Sequence, residues 1–268
     1  MDPAPAPTGK WADLRTRILS AIVMVAVGAL EIWLGGTAFA ALVVVLTGVM
    51  IWELATMTSP SRQRSPVALA VGAAIALVAA VVLRTELAVL FLMVPTGALI
   101  LTPRRDRRLA AAYALAIMLA GYGLVHLRVG GGTSVILWLV AVVVASDVLG
   151  YFAGRMLGGP KFWERISPKK TWSGTVAGWI GAALVGAFFV WSHGASWLLV
   201  PLSAVTALAG QMGDIAESWV KRRAGVKDAS NLIPGHGGVL DRFDALIGAV
   251  VAVLALGLVA PVTALFGG

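Results

Sequence analysis

Nine apolar stretches divide this chain, at residues 18–34, 37–57, 66–83, 87–102, 109–127, 133–153, 174–191, 195–213 and 245–266. A helix needs about 20 mostly apolar residues to cross a bilayer core. Most of the nine are near that length; the fourth is short and contains Pro95. The charged residues fall almost entirely between them. The pattern predicts an all-α, polytopic integral membrane bundle of about nine transmembrane helices. Residues 1–17 form a cytoplasmic tail with a disordered Pro/Ala start, 18–132 an N-terminal packing region, and 133–268 a C-terminal catalytic region with loops 154–173 and 214–244.

Composition agrees. Of 268 residues, 59% are hydrophobic and 13% charged, with a mean hydropathy of +0.89. A soluble domain averages about 25% charged. Cysteine is absent, which excludes disulfides, thiolate catalysis and Cys-ligated zinc. The net charge of +8 resembles a nucleic-acid signal, but its distribution follows topology. Nineteen of the 21 Lys and Arg fall in the N-terminal segment and the even-numbered loops; only Arg84 and Arg128 fall on the other side. The positive-inside rule places the nineteen in the cytoplasm, with the N-terminus in and the C-terminus out. The basic charge thus points to anionic lipid and excludes nucleic acid as the partner. Ala38-Phe39-Ala40 mimics a signal-peptidase site, but the apolar run continues straight through it.

The two halves differ in chemistry. Glu31 and Glu53 are the only acids inside the first five stretches. Glu53 reads as an interfacial residue that snorkels or pairs with a basic loop. The C-terminal half carries Ser146-Asp147, then Gly154-Arg155, then Ser167-Pro168-Lys169-Lys170-Thr171. Asp147 is either a structural partner of Arg155 or Lys169, or part of a site. Asp214, Glu217 and Ser218 share one helical face if the eighth helix continues, and Glu217–Lys221 has the spacing of a plain helix pair. Residues 234–238, Pro-Gly-His-Gly-Gly, cannot be regular helix. Their glycines let backbone N–H groups approach an anion. Asp241 and Asp244 follow at i, i+3 spacing around Arg242, a fork suited to phosphate. Charge gathered beside a bilayer is by default functional. His126 and His193 lie in other regions, so His236 has no partners for a zinc site.

Residues 218–244 resemble the signature of the phosphatidate cytidylyltransferases, also called CDP-diacylglycerol synthases. The matching residues are Ser218, Lys221-Arg222, Lys227-Asp228, Pro234, His236-Gly237-Gly238, Asp241-Arg242 and Asp244, with the spacings intact. The blocks at 146–155 and 166–172 agree. Ser173 departs from the family, which usually has an acid there, and Gly150 stands where Ala is usual. The resemblance implies transfer of CMP from CTP to phosphatidic acid with release of pyrophosphate, in phospholipid biosynthesis at a bacterial plasma membrane.

With that activity, Asp214 and Asp241 are the expected ligands of one or two Mg²⁺ ions, followed by Asp244 and Asp147; a monovalent cation can accompany them. Lys221, Arg242 and His236 join Asp214 and Asp241 as catalytic residues. Ser167, Lys169, Lys170, Thr171, Ser218, Arg222, Lys227, Asp228, Gly235, Gly237 and Gly238 are expected to bind substrate. The site faces the cytoplasm, and a homodimer is the candidate assembly. Two rivals remain: a CTP-dependent polyprenol kinase, and a transporter, whose ionisable groups belong at the midplane rather than at one face.

Overall fold

The structure is a computed structural model that describes residues 10–59, 65–83 and 87–266. The proline-rich tail, Arg62, Arg64 and Arg84 lie outside these residues. The chain is helical almost throughout. In order come α1 (Lys10–Leu34), α2 (Gly36–Met57), α3 (Ser65–Leu83), α4 (Ala88–Leu101), α5 (Arg107–Leu157), a hairpin of β1 (Lys161–Trp163) and β2 (Ser167–Thr171), α6 (Trp172–His193), α7 (Leu199–Ala224) and α8 (Leu240–Gly257). A 3₁₀ turn at Val262–Phe266 follows. The all-α membrane fold is as expected. Among the described residues, six helices are long and apolar enough to cross a membrane; α4 has only 14 residues, and the 18-residue α8 carries acids in its first turns.

The 51-residue α5 is one of the six. Drawn straight it would reach about 75 Å at 1.5 Å per residue. It is not straight. Gly132 sits at φ 67°, ψ −160°, outside helical space. Asp106, just before α5, lies 3.5 Å from Arg223 on α7, and Asp147 near its other end shares a cavity with Asp214, also on α7. The helix therefore folds back at the Gly130–Gly132 run into two limbs. These limbs correspond to the stretches expected at 109–127 and 133–153.

The loops collect at the two ends of the bundle. At one end, Arg128 donates to the carbonyl of Ile32 (3.2 Å), and Ser196 N–H donates to the carbonyl of Leu265 (2.7 Å). Trp138, Phe189 and Phe266 stack edge to face near this end. At the other end, Arg105 N–H donates to the carbonyl of Thr58 (3.0 Å), and its guanidinium donates to the carbonyl of Ala224 (3.3 Å). The positively charged segments meet there. Helix α1 is peripheral: from Arg15 to Leu34 none of its side chains is buried.

Helix α7 carries the site against two neighbours with different contacts. Against α8 the backbones touch: a Cβ at Gly213 would strike the carbonyl of Asp244, and one at Gly248 the carbonyl of Ala209. The second limb of α5 and α6 meet equally closely at Gly150 and Gly174. Between α6 and α7, Gly186 abuts Val200 and the Leu199 carbonyl at the end remote from the charged loops, whereas nearer those loops the contact runs through the Gln211 side chain. Backbone contact of this kind is how small residues bind helices together where lipid supplies no hydrophobic drive.

Two boundaries moved. The segment 214–244, expected as a loop, is helix at both ends, because α7 runs to Ala224 and α8 starts at Leu240; only 225–239 is irregular. The segment expected as a loop at 154–173 contains the hairpin, in which Lys161 pairs with Thr171 and Trp163 with Ser167.

Candidate functional site

A cavity of about 510 Å³ opens at the charged end, between the second limb of α5, the β2 strand, α6, α7 and the start of α8. Its walls include Asp147, Arg155, Lys169, Lys170, Thr171, Asp214, Asp241, Arg242 and Asp244. The basic residues of the 167–171 strand thus face the acids of α7 and α8. Lys170 Nζ lies 2.6 Å from Asp214 Oδ2 and donates to the Gln211 carbonyl at 3.1 Å. Lys169 is exposed beside it. Thr171 caps α6, accepting from the Gly174 N–H at 3.3 Å, which is why the strand stops and the helix starts there. Ser173 donates to the Gly158 carbonyl and serves the hairpin.

The carboxylates divide into two groups. Asp214, Glu217 and Asp244 bring one oxygen each within 4.8 Å of one another. Glu217 is fully buried, and neither of its oxygens has a hydrogen bond, although Lys221 Nζ lies 2.5 Å from Oε2. Ser218 reaches Asp214 at 3.4 Å. Lys170 pairs with Asp214 and Lys221 with Glu217, so two lysines offset two of the three converging carboxylates; one charge is left over, and hard oxygen donors gathered in this way suit a divalent ion. Asp244 shows the strain. It precedes the apolar part of α8, and burial, followed by the charges of Asp214 and Asp147, pushes its carboxyl up to about 7.

Asp241 belongs to the second group. Its Oδ1 accepts from Lys221 Nζ at 2.6 Å, and its Oδ2 accepts from the N–H groups of Ala229 (2.9 Å) and Gly238 (2.7 Å). Burial acts to raise its carboxyl, but Lys221 and the two N–H groups outweigh burial and hold it below the usual range. Asp241 therefore fixes the 225–239 loop, and the structure places Glu217 rather than Asp241 with Asp214 and Asp244. Lys221 bridges the two groups, 2.5 Å from Glu217 and 2.6 Å from Asp241.

Glu53 departs from one half of its sequence reading. It does not snorkel, being fully buried; it does meet the basic loop before α8, but through a serine hydroxyl and backbone N–H groups. Its Oε1 accepts from Ser230 Oγ (2.5 Å) and Val239 N–H (2.9 Å), and its Oε2 from Leu240 N–H (2.6 Å). It caps α8 from another helix, where a carboxylate also meets the positive end of the helix dipole. Gly238 is pressed against it, leaving no room for a side chain.

His236 turns away from the cavity. Its Nδ1 lies 2.7 Å from Ser20 Oγ on α1, and Ser20 also donates to the Pro234 carbonyl at 3.1 Å. Gly235 and Gly237 take positive φ in the same turn, as the glycine-rich reading expects. Arg222 near the end of α7 and Lys227 and Asp228 in the loop are exposed, and neither they nor Ser167, Ser218, Gly235, Gly237 and Gly238 line the cavity.

Gln211 went unnoticed in the sequence. It is buried, donates to Ser146 Oγ (3.2 Å) and the Thr175 carbonyl (3.3 Å), and accepts from Trp179 Nε1 (3.0 Å). A glutamine in an apolar helix one turn before Asp214 was the available signal.

Comparison with known proteins gives a consistent result. The model of the cytidylyltransferase family matches residues 15–260. The phosphatidate cytidylyltransferase of Brucella abortus is 36% identical over 250 residues, covering 89% of this chain and 91% of the relative. That of Staphylococcus saprophyticus is 39% identical over 154 residues, 55% of this chain and 59% of the relative. That of Helicobacter pylori is 42% identical over 118 residues, 43% of this chain and 44% of the relative.

Proposed function

The chain belongs to the cytidylyltransferase family, and from that premise we infer that its cavity joins CTP to phosphatidic acid, releasing pyrophosphate and leaving CDP-diacylglycerol in the membrane. The observation that carries this reading is the opposition, across one cavity at the end of an apolar bundle, of a basic strand and a carboxylate trio. Such a site holds polyanions and the cation that accompanies them.

In the reaction a phosphate oxygen of phosphatidic acid attacks the α-phosphorus of CTP. A new P–O bond forms, the α–β bridge breaks, and its electron pair leaves on pyrophosphate. The nucleophile is already anionic near neutral pH, so no strong general base is needed. The work is to bring two polyanions together and to stabilise the leaving charge. Lys169, Arg155 and Arg242 are placed to hold phosphate oxygens, Arg by its fork and Lys as a point charge. Lys170 is shared between Asp214 and the cavity and fits the same role. Asp214, Glu217 and Asp244 would hold Mg²⁺, which when bound neutralises phosphate charge and orients the leaving group. Lys221 ties this trio to Asp241. Asp241 and Glu53 order the 225–239 loop, and His236 pins its tip to α1.

The charged end faces the cytoplasm in this reading, because 19 of the 21 Lys and Arg belong to the N-terminal segment and the even-numbered loops, and the described 104–108, 167–171 and 221–242 segments among these gather at that end. A reporter at Gly131 that reads as cytoplasmic would reverse it. The activity is tested by incubating the purified protein in vesicles with CTP, phosphatidic acid and Mg²⁺. CDP-diacylglycerol and pyrophosphate are expected in equal amounts; CDP as the nucleotide product would identify a kinase instead.

A further inference from the structure

We propose that the cleft between the start of α5 and the end of α7 binds the phosphate headgroup of an acidic phospholipid, at a site separate from the reaction cavity. The cleft is about 340 Å³ and is lined by Asp106, Arg107, Arg108, Leu109, Trp219 and Arg223. It shares no lining residue with the reaction cavity.

The four arginines of the 104–108 segment do two different things. Arg104 donates to Thr102 Oγ1 (2.9 Å) and to the Ala55 carbonyl, and Arg105 donates to the Ala224 carbonyl. Both are spent on the ends of α2, α4 and α7. Arg107 and Arg108 are exposed and make no hydrogen bond or ion pair among the described residues. A topological role alone would not gather them around a cleft with a third guanidinium. Arg223 supplies that third group, 5.8 Å above the Trp219 ring and 3.5 Å from Asp106. Three guanidinium groups against one carboxylate leave an excess of two positive charges, which exceeds the single negative charge of a phosphodiester headgroup. The first N–H groups of α5 add to this, since Asp106 makes no side-chain cap.

The apolar wall selects a lipid over a free anion. Leu109 begins the apolar surface of α5, and Trp219 is 42% exposed on the opposite side of the cleft. An amphipathic indole at the end of a membrane helix sits at headgroup depth. Basic pockets between such helices hold acidic headgroups while the acyl chains follow the helix surface.

Native mass spectrometry of the whole purified protein tests this with phosphatidylglycerol and phosphatidylcholine as probes. The wild type should retain phosphatidylglycerol in preference to phosphatidylcholine. The Arg107→Gln/Arg108→Gln variant should weaken that preference about 30-fold, for two phosphate-facing cations at the membrane surface. Its turnover in phosphatidylcholine vesicles containing phosphatidic acid should stay at the wild-type value, because neither residue lines the reaction cavity. Trp219→Ala keeps every charge and should still weaken retention, which preserves the test if the double variant misfolds. Unchanged selectivity in either folded variant would overturn the site. Displacement of the bound lipid by millimolar inorganic phosphate would overturn the lipid assignment and make it a free-anion site.

Discussion

Replacing Glu53 by Gln removes one charge and one acceptor oxygen from a buried cap 177 residues distant in sequence from Ser230. The carboxylate accepts three hydrogen bonds, from Ser230, Val239 and Leu240, at 2.5 to 2.9 Å. In the amide, either the Leu240 N–H or the Ser230–Val239 pair must face an NH₂ group. A hydrogen bond to a charged group is worth about 1.5–3 kcal/mol, and the dipole at a helix start adds up to about 1 kcal/mol. The loss is therefore about 3 kcal/mol, set against release of the 229–240 segment rather than global unfolding. That corresponds to about a 150-fold fall in the ratio of held to released loop. Hydrogen exchange at the amides of Val239 and Leu240 should accelerate by a comparable factor. CDP-diacylglycerol formation should fall with it, because the same loop is anchored to Asp241 beside the cavity. Glu53→Asp keeps the charge on a shorter arm and should recover part of both. Wild-type exchange together with wild-type turnover in Glu53→Gln would refute the cap as an organiser of the site.

Two further outcomes separate the carboxylate groups. Asp214→Asn and Glu217→Gln should each lower turnover at least about 100-fold and weaken Mg²⁺ binding, with the double variant scarcely worse than either single one; Asp241→Asn should instead speed exchange across 225–239, and full activity in Glu217→Gln would remove that residue from the metal set. Asp244, pushed up to about 7, keeps its proton below that pH in the metal-free protein, so metal and proton compete. Mg²⁺ half-saturation should rise about tenfold per pH unit below 7 and level off above it, and identical values at pH 6 and pH 8 would contradict the assignment.

What the sequence revealed follows from the range of each interaction. The spans are properties of local composition, and the fold-back in α5 is marked by three consecutive glycines at its centre. The 218–244 motif was legible because its residues are close in sequence and carry charge that a bilayer-adjacent segment does not retain idly. The role of Glu53 was not, since the donors it satisfies lie on a loop almost two hundred residues away. Asp241 was the expected metal ligand, and Glu217 read as a plain helix pair with Lys221. Only the loop N–H groups of Ala229 and Gly238, folded back onto Asp241, tell them apart. The hairpin at 161–171 escaped notice because three- and five-residue strands carry too little periodicity to register.

The backbone contacts on either side of the cavity have a mechanical consequence. Helices α7 and α8 meet without intervening side chains at Gly213 and Gly248, so Asp214, Glu217, Asp241 and Asp244 ride on one stiff blade. The second limb of α5 and α6 meet the same way at Gly150 and Gly174, and make a second blade that leads into the basic strand. The blades are joined tightly at Gly186, far from the charged loops, and near them through side chains, those of Gln211 and Lys170. They have the form of tongs. A bulky lipid headgroup can enter by a small change of angle that is greatest at the cavity mouth. Such a movement would keep the spacing among the acids and lengthen the contact between Lys170 and Asp214.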